Sequence, residues 1–170
     1  IDCICKATGD RFNKRWINFL FYWIILFLRC MQTIRKREGF HGQKAIVLPK
    51  KIIELCSYSP PVNNLYITDI GFYPRAQYHY RVRPSGISQN VLIYCLEGKG
   101  WLDVPSGNYS VGPNQFLIIP ADMPHTYGAD EKNPWTIYWF HFKGIQSTYF
   151  AGLLSKQFKS FTNDTIFIDE

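Results

Sequence analysis

The chain has 170 residues, 46% of them hydrophobic and 19% charged, which is too apolar for a disordered polypeptide and enough for one domain around one core. Its formal charge of +6 does not mark a nucleic-acid-binding face: Lys6, Arg11, Lys14, Arg15 and Arg29 against Asp2 and Asp10 give the first thirty residues +3, and the remainder holds 14 basic against 11 acidic residues. Five cysteines, three of them at positions 3, 5 and 30, form neither a disulfide framework nor a zinc set, because Cys3-x-Cys5 lacks a second ligand pair; this usage favours a reducing compartment.

Residue 1 is Ile and the first Met is Met31. Residues 16–28, WINFLFYWIILFL, are a nearly unbroken apolar run flanked by Lys14-Arg15 and Arg29. The run is shorter than the roughly 20 residues a membrane-spanning helix needs, and no small-residue cleavage site follows it. We read residues 1–30 as an upstream or foreign extension without bearing on function. The alternative is a membrane-associated binding module anchored by this run, and the two part on whether translation begins at Met31. Residues 31–62 read as an N-terminal arm, in which Gly42 to Pro49 suits an edge strand ended by a proline that lacks a ladder N–H. A short helix is expected over 50–58, stopped by Ser59-Pro60-Pro61. Strands are expected over 64–73 and 77–82, the second leading into a turn at Arg83-Pro84-Ser85-Gly86.

From residue 90 to 128 apolar runs at 91–96, 101–104, 109–111 and 116–119 are cut at nearly even intervals by Gly98-Lys99-Gly100, Pro105-Ser106-Gly107 and Gly112-Pro113-Asn114. Strand-length runs rich in Val, Ile, Leu, Tyr and Phe between turn residues predict successive antiparallel strands in a small barrel or sandwich. Along 135–142, period-two alternation puts Trp135, Ile137, Trp139 and His141 on one face and Thr136, Tyr138, Phe140 and Phe142 on the other. Both faces are apolar, so burial on both sides is expected. Residues 145–158 carry Ile145, Tyr149, Phe150, Leu153 and Leu154 at helical spacing, an amphipathic helix with a face to bury. A last apolar run follows at 166–168.

The chemistry-bearing residues suit binding better than catalysis. Aromatics make up 17% of the chain, and Tyr or Trp offers a flat apolar face with a polar tip, as amphipathic pockets require. Arg83, at the entrance to a strand, can present fixed N–H donors to sugar hydroxyls or a carboxylate; the alternative is a solvated turn arginine or a structural ion pair. His125 ends Pro120-Ala121-Asp122-Met123-Pro124-His125, where Asp122 tolerates a left-handed turn. A histidine there either hydrogen-bonds a ligand hydroxyl or satisfies a backbone carbonyl. The chain has no Gly-x-Ser-x-Gly, no Gly-x-x-x-x-Gly-Lys and no Gly-x-Gly-x-x-Gly.

Leu96-Glu97-Gly98-Lys99-Gly100-Trp101, the run from Gly112 to Pro120, Pro124-His125 and WTIYWFHFKG at 135–144 together resemble the double-stranded β-helix of AraC-type bacterial transcription regulators, over residues 38–154. The resemblance implies a mainly β cupin jelly-roll barrel over 63–144, preceded by the arm and followed from 145 to 170 by the start of a helical dimerisation segment. It also implies an N-terminal arm that can fold across the ligand pocket. By the same resemblance Arg83, Tyr127 and Trp139 match pocket positions that bind sugar, with Asp69 near another and His125 at the strand end. Where the family's sugar pattern has a histidine this chain has Ile137, which removes a polar contact. Metal-binding cupins pair His-x-His with a later carboxylate, and His79-Tyr80-Arg81 breaks that pattern. The function implied is a ligand-sensing and dimerisation domain of a cytoplasmic regulator. It would take a small-molecule effector of carbohydrate type, no cofactor and no metal, and would form a homodimer. No membrane is involved, and DNA would be met only through a C-terminal helix-turn-helix domain outside this chain. The rival from another class is a cupin metalloenzyme, an isomerase or dioxygenase using His79, His125 and His141.

Overall fold

Nine strands and two helices follow the punctuation of the sequence in the computed structural model, which describes residues 34–157; the apolar run at 16–28, Cys3, Cys5, Cys30 and the run at 166–168 lie outside the described residues. Every described element belongs to the compact unit Arg35–Glu170. The elements are β1 (Lys44–Val47), α1 (Lys50–Tyr58), β2 (Tyr66–Tyr73), β3 (Tyr80–Arg83), β4 (Asn90–Glu97), β5 (Gly100–Val104), β6 (Gly107–Val111), β7 (Gln115–Ile119), β8 (His125–Ala129), β9 (Thr136–Lys143) and α2 (Ser147–Gln157). Among the described residues no helix is long and apolar enough to cross a membrane.

The strands form two antiparallel sheets, one of five in the order β1-β2-β9-β4-β7 and one of four in the order β3-β8-β5-β6. This is the expected jelly-roll barrel of the cupin double-stranded β-helix. One core cluster takes side chains from both sheets, among them Tyr73, Val91, Ile93, Ile119 and Ile137 from the larger and Leu102, Val111 and Tyr127 from the smaller. Trp135, Ile93, Leu117 and Ile119 are among its largest fully buried side chains, each contributing on the order of 1.5–3 kcal/mol by leaving water.

A second cluster, Ile118, Phe142 and Ala151 with Leu92, Phe116 and Phe140 packed on it, lies on the outer face of the larger sheet under α2. It explains why β4, β7 and β9 are apolar on both faces. The cover is incomplete: Tyr138 is 48% exposed, its ring 4.8 Å from that of Phe72, so the expectation that β9 is buried on both sides fails there. The helix starts at Ser147, leaving Ile145 before it and 74% exposed, and the buried face of α2 also differs from the expected one, since Ala151 is fully buried whereas Tyr149 is 67% exposed. Small size decides this: Ala lets the helix backbone approach the sheet, while the bulkier residues stand to the side.

The arm stretch 44–47 pairs antiparallel with β2 and takes the edge-strand reading, and α1 stands where the sequence put it, with no buried residue. The strand expected at 77–82 is shifted to Tyr80–Arg83, because Arg75 (φ 40°) and Tyr78 (φ 64°) adopt left-handed backbone and consume 74–79 in a turn. Arg83 therefore belongs to the strand and not to the turn. β2 begins at Tyr66, two residues late, after a 3-10 turn at Val62–Asn64.

Candidate functional site

The pairing of β3 with β8 sets Arg83 opposite His125 and Arg81 opposite Tyr127, so these four side chains share one face of the smaller sheet; Leu102 of β5, opposite Tyr127, continues it into the core. Two turns hold this end of the sheet. Asp122 adopts the left-handed backbone its side chain tolerates (φ 60°), and its N–H donates to the Ile87 carbonyl at 2.7 Å. Gly86 packs so closely on the Asp122 backbone that a Cβ would stand 2.4 Å from it, and its φ of +69° suits glycine.

The larger sheet supplies the facing wall. Asp69, Gly71 and Tyr73 of β2 stand opposite His141, Trp139 and Ile137 of β9. Gly71 has room for no side chain: a Cβ would meet the Trp139 indole at 2.6 Å, so the glycine is what lets that ring lie across β2. His141 Nδ1 donates a short hydrogen bond to the Asp69 carboxylate.

Ring contacts link the two walls into a circuit. His125 stacks on Tyr127 (5.9 Å, 11°), Tyr127 meets His79 edge-on at 5.6 Å, His79 meets Tyr73 at 5.4 Å, and Tyr73 meets Trp139 at 5.3 Å. Trp139 then contacts His141 at 5.2 Å, His141 holds Asp69, and the charges of Arg83 and Asp69 act on each other. The structure thus brings together all five sequence candidates, Arg83, Tyr127, Trp139, His125 and Asp69. It adds Tyr73, His79 and His141, of which the two histidines entered the sequence reading only as metal candidates. Tyr73 carried no signal of its own in the sequence; alternation along β2 is the pattern that puts it inward.

Four polar atoms around this circuit are buried without a hydrogen-bond partner: Arg83 Nη1, His125 Nε2, Trp139 Nε1 and His79 Nε2. A buried donor or acceptor left unpaired costs on the order of 1–3 kcal/mol, so these atoms are the unsatisfied groups of the barrel among the described residues. The protonation of each follows from its neighbours. The Trp135 indole N–H donates to His79 Nδ1 at 3.2 Å, so the His79 proton sits on Nε2, which is a donor. His125 Nδ1 donates to the Met123 carbonyl at 2.7 Å, so its Nε2 presents a lone pair.

Burial, with the charges of Arg81 and Arg83, pushes the His79 pKa down to about 3. Burial also lowers that of His125, against the Met123 carbonyl and together with the charges of Arg83 and His141. Both imidazoles are neutral at pH 7. Burial raises the Asp69 carboxyl, but hydrogen bonds from His141 and Thr68 and the charges of His141 and Arg83 outweigh it, and Asp69 is an anion. Each of the three histidines commits Nδ1 elsewhere, and among the described residues no three His, Cys, Asp or Glu side chains converge on a point.

The N-terminal segment borders the site. Lys36 exchanges backbone hydrogen bonds with Tyr78 and Tyr80, Glu38 pairs with Arg81 at 3.1 Å, and Phe40 packs on Tyr73 and His79 at 5.1 and 5.3 Å. Outside the circuit a groove of about 660 Å³ opens between this segment and Phe72, Arg75 and Glu97; it is lined by none of the residues with unpartnered polar atoms.

The chain is similar to two regulatory proteins and to a solved cupin domain. The MmsAB operon regulatory protein of Pseudomonas aeruginosa is 38% identical over 106 residues, 60% of this chain and 34% of that protein. The Msm operon regulatory protein of Streptococcus mutans is 28% identical over 68 residues, 40% of this chain and 24% of that protein. The chain therefore spans about a third or less of the length of these curated relatives. Among solved structures, the Schizosaccharomyces pombe Cnp3 cupin domain superposes with a TM-score of 0.41 at 16% identity, covering 65% of this chain and 72% of that one. The family model of the AraC-like ligand binding domain matches residues 70–163, more than half of the chain and the whole stretch from β3 to β9, and the chain belongs to that family, a family of binding domains and not of enzymes.

Proposed function

We propose that this chain is the effector-sensing part of a cytoplasmic AraC-type transcription regulator, and that it binds one small hydroxylated molecule of carbohydrate type between its two sheets. The observation that carries the reading is the set of four buried, unpartnered polar atoms on Arg83, His125, Trp139 and His79, linked through aromatic rings inside the barrel. Flat aromatic faces with a few fixed polar groups are how a protein holds a polyhydroxylated ligand. Arg83 supplies charged donors, His125 accepts from a hydroxyl, Trp139 and Tyr127 flank the ligand, and Asp69 orients the Arg83 side of the pocket through its charge. The names of the two regulatory relatives support the regulatory role.

In this reading the domain also dimerises through α2, whose Tyr149, Phe150 and Leu153 remain exposed beside the sheet, and DNA is met by a helix-turn-helix part beyond these residues. Ligand would act by a population shift, binding one arrangement of the arm or dimer contact more tightly than the other. Titration calorimetry against pentoses, hexoses, alditols and their acid derivatives tests it. We expect one member to bind one-to-one and Arg83→Ala to weaken it at least tenfold. Equal binding by Arg83→Ala overturns the pocket.

A further inference from the structure

The groove of about 660 Å³ beside the N-terminal segment shares no lining residue with the aromatic circuit of the barrel, and it is of the size of small-molecule sites, roughly 300–1,000 Å³. It is lined by Lys36 and the loop 39–42, by Phe72, Pro74, Arg75 and Gln77, by the end of β4 and by Thr136 at the start of β9. The loop is fixed by a side chain: Gln43 Oε1 accepts from the Gly39 and Phe40 N–H groups at 2.8 and 3.2 Å. Gly42, with φ +76°, lets that loop close on Pro74, where a Cβ would stand 3.3 Å from Cγ. On the other side Arg75 holds left-handed backbone (φ 40°), a strained state for arginine. It persists because the Arg75 N–H donates to Thr136 Oγ1 at 3.0 Å and the Ala76 N–H to the Trp135 carbonyl at 2.8 Å. Strain of this kind collects at ligand clamps and switch regions.

The charges lining the groove are unequal. Lys36 and Arg75 stand against Glu97 alone, with His41 counted neutral, so one positive charge is in excess. Among the described residues neither cation has an ion-pair partner. Thr136, 5% exposed, accepts from the Arg75 N–H, and its own hydroxyl proton is uncommitted. A monoanion neutralises the excess, and a carboxylate brings acceptors alone, which suit a guanidinium, an ammonium and a hydroxyl donor. Phe40, Phe72 and Leu96 supply apolar surface in the same groove, with Leu96 38% exposed.

We infer that this groove is a binding site, separate from the barrel interior, for a small monocarboxylic acid with an apolar body, the carboxylate taken by Arg75, Lys36 and Thr136 and the body laid against Phe40 and Phe72. Glu97 disfavours a second negative charge. The inference goes beyond the proposed sensing pocket and does not rest on it. Phe40 also packs on Tyr73 and His79, so an occupant braces the N-terminal segment against the barrel.

Calorimetry and ligand-observed NMR on the 170-residue chain test it with benzoate, phenylacetate and isovalerate, their amides, and acetate. At least one of the three acids should bind one-to-one, at least fivefold more tightly than its amide and than acetate. Arg75→Gln and Lys36→Gln, changes at exposed positions, should each weaken that acid at least threefold and leave the amide within twofold. Glu97→Gln should tighten the acid, and Phe72→Ala should weaken acid and amide alike. Arg83→Ala, inside the barrel, should leave the acid within twofold. An acid that needs Arg83 and not Arg75 lies in the barrel and overturns this inference. An amide bound as tightly as its acid overturns it, and so does failure of all three acids to bind; neither result bears on carbohydrate binding between the sheets.

Discussion

Arg83, His125, Trp139 and His79 each carry a polar atom buried at a free-energy cost, and that cost has a pH signature that calorimetry can read. His79 titrates near 3 in the folded chain and near 6.5 when unfolded, so between those values the unfolded state binds one more proton and stability falls as pH falls. The lowered pKa of His125 acts in the same direction below about 6.5. Asp69, lowered below its ordinary value, adds stability that is likewise lost as acid protonates it. From pH 7 to 5 the wild-type melting temperature should fall, with His79 alone accounting for about 2 kcal/mol. His79→Phe should be less stable at pH 7, because the Trp135 N–H loses its acceptor, yet show a visibly flatter melting profile. An unchanged profile means that His79 is not held neutral. Arg83 and His125 at strand ends and Trp139 on one face of its strand could be placed from the sequence, whereas a pocket role for Arg83 and Trp139 was implied by the family resemblance. The role of His79 was hidden, because what makes it a donor is an indole 56 positions away in the chain.

At the scale of elements, the turns and strands from 90 to 128 were readable because Gly, Pro and Asn cut them at even spacing and Val, Ile and Leu fill them. The displaced β3 was not readable: left-handed backbone at Arg75 and Tyr78, residues with no special liking for it, is fixed by tertiary contacts such as the Arg75 N–H donating to Thr136 Oγ1 and the Ala76 N–H to the Trp135 carbonyl. The β2–β9 pair makes a sharper prediction. Gly71→Ala puts a Cβ 2.6 Å from the Trp139 indole, and that ring must move. The expected cost is about 1–3 kcal/mol in urea unfolding, accompanied by a shifted tryptophan emission and at least tenfold weaker ligand binding. Wild-type emission and affinity in Gly71→Ala would mean that Trp139 does not depend on this opening.

At the scale of the described fold there are two cores: one cluster lies between the sheets and includes Tyr127, with Trp139 packed against it, and the other lies beneath α2 on the outer face. Ala151→Leu, overpacking the second cluster against Ile118 and Phe142, should lower stability by about 1–3 kcal/mol and leave ligand affinity within twofold. A large affinity change there would mean that the helix and the pocket are coupled through the sheet. By itself the sequence determined the mainly β class, most strand limits and the family to which the chain belongs, since turn chemistry and period-two alternation are local and survive without a partner. Only the tertiary structure decided which polar atoms are left unpaired, that Ala151 and not Tyr149 faces the sheet, and that His79 joins Trp139 and His125 in one place. The physical reason is that burial and hydrogen-bond satisfaction are properties of contacts between distant segments, and no window along the chain contains both partners.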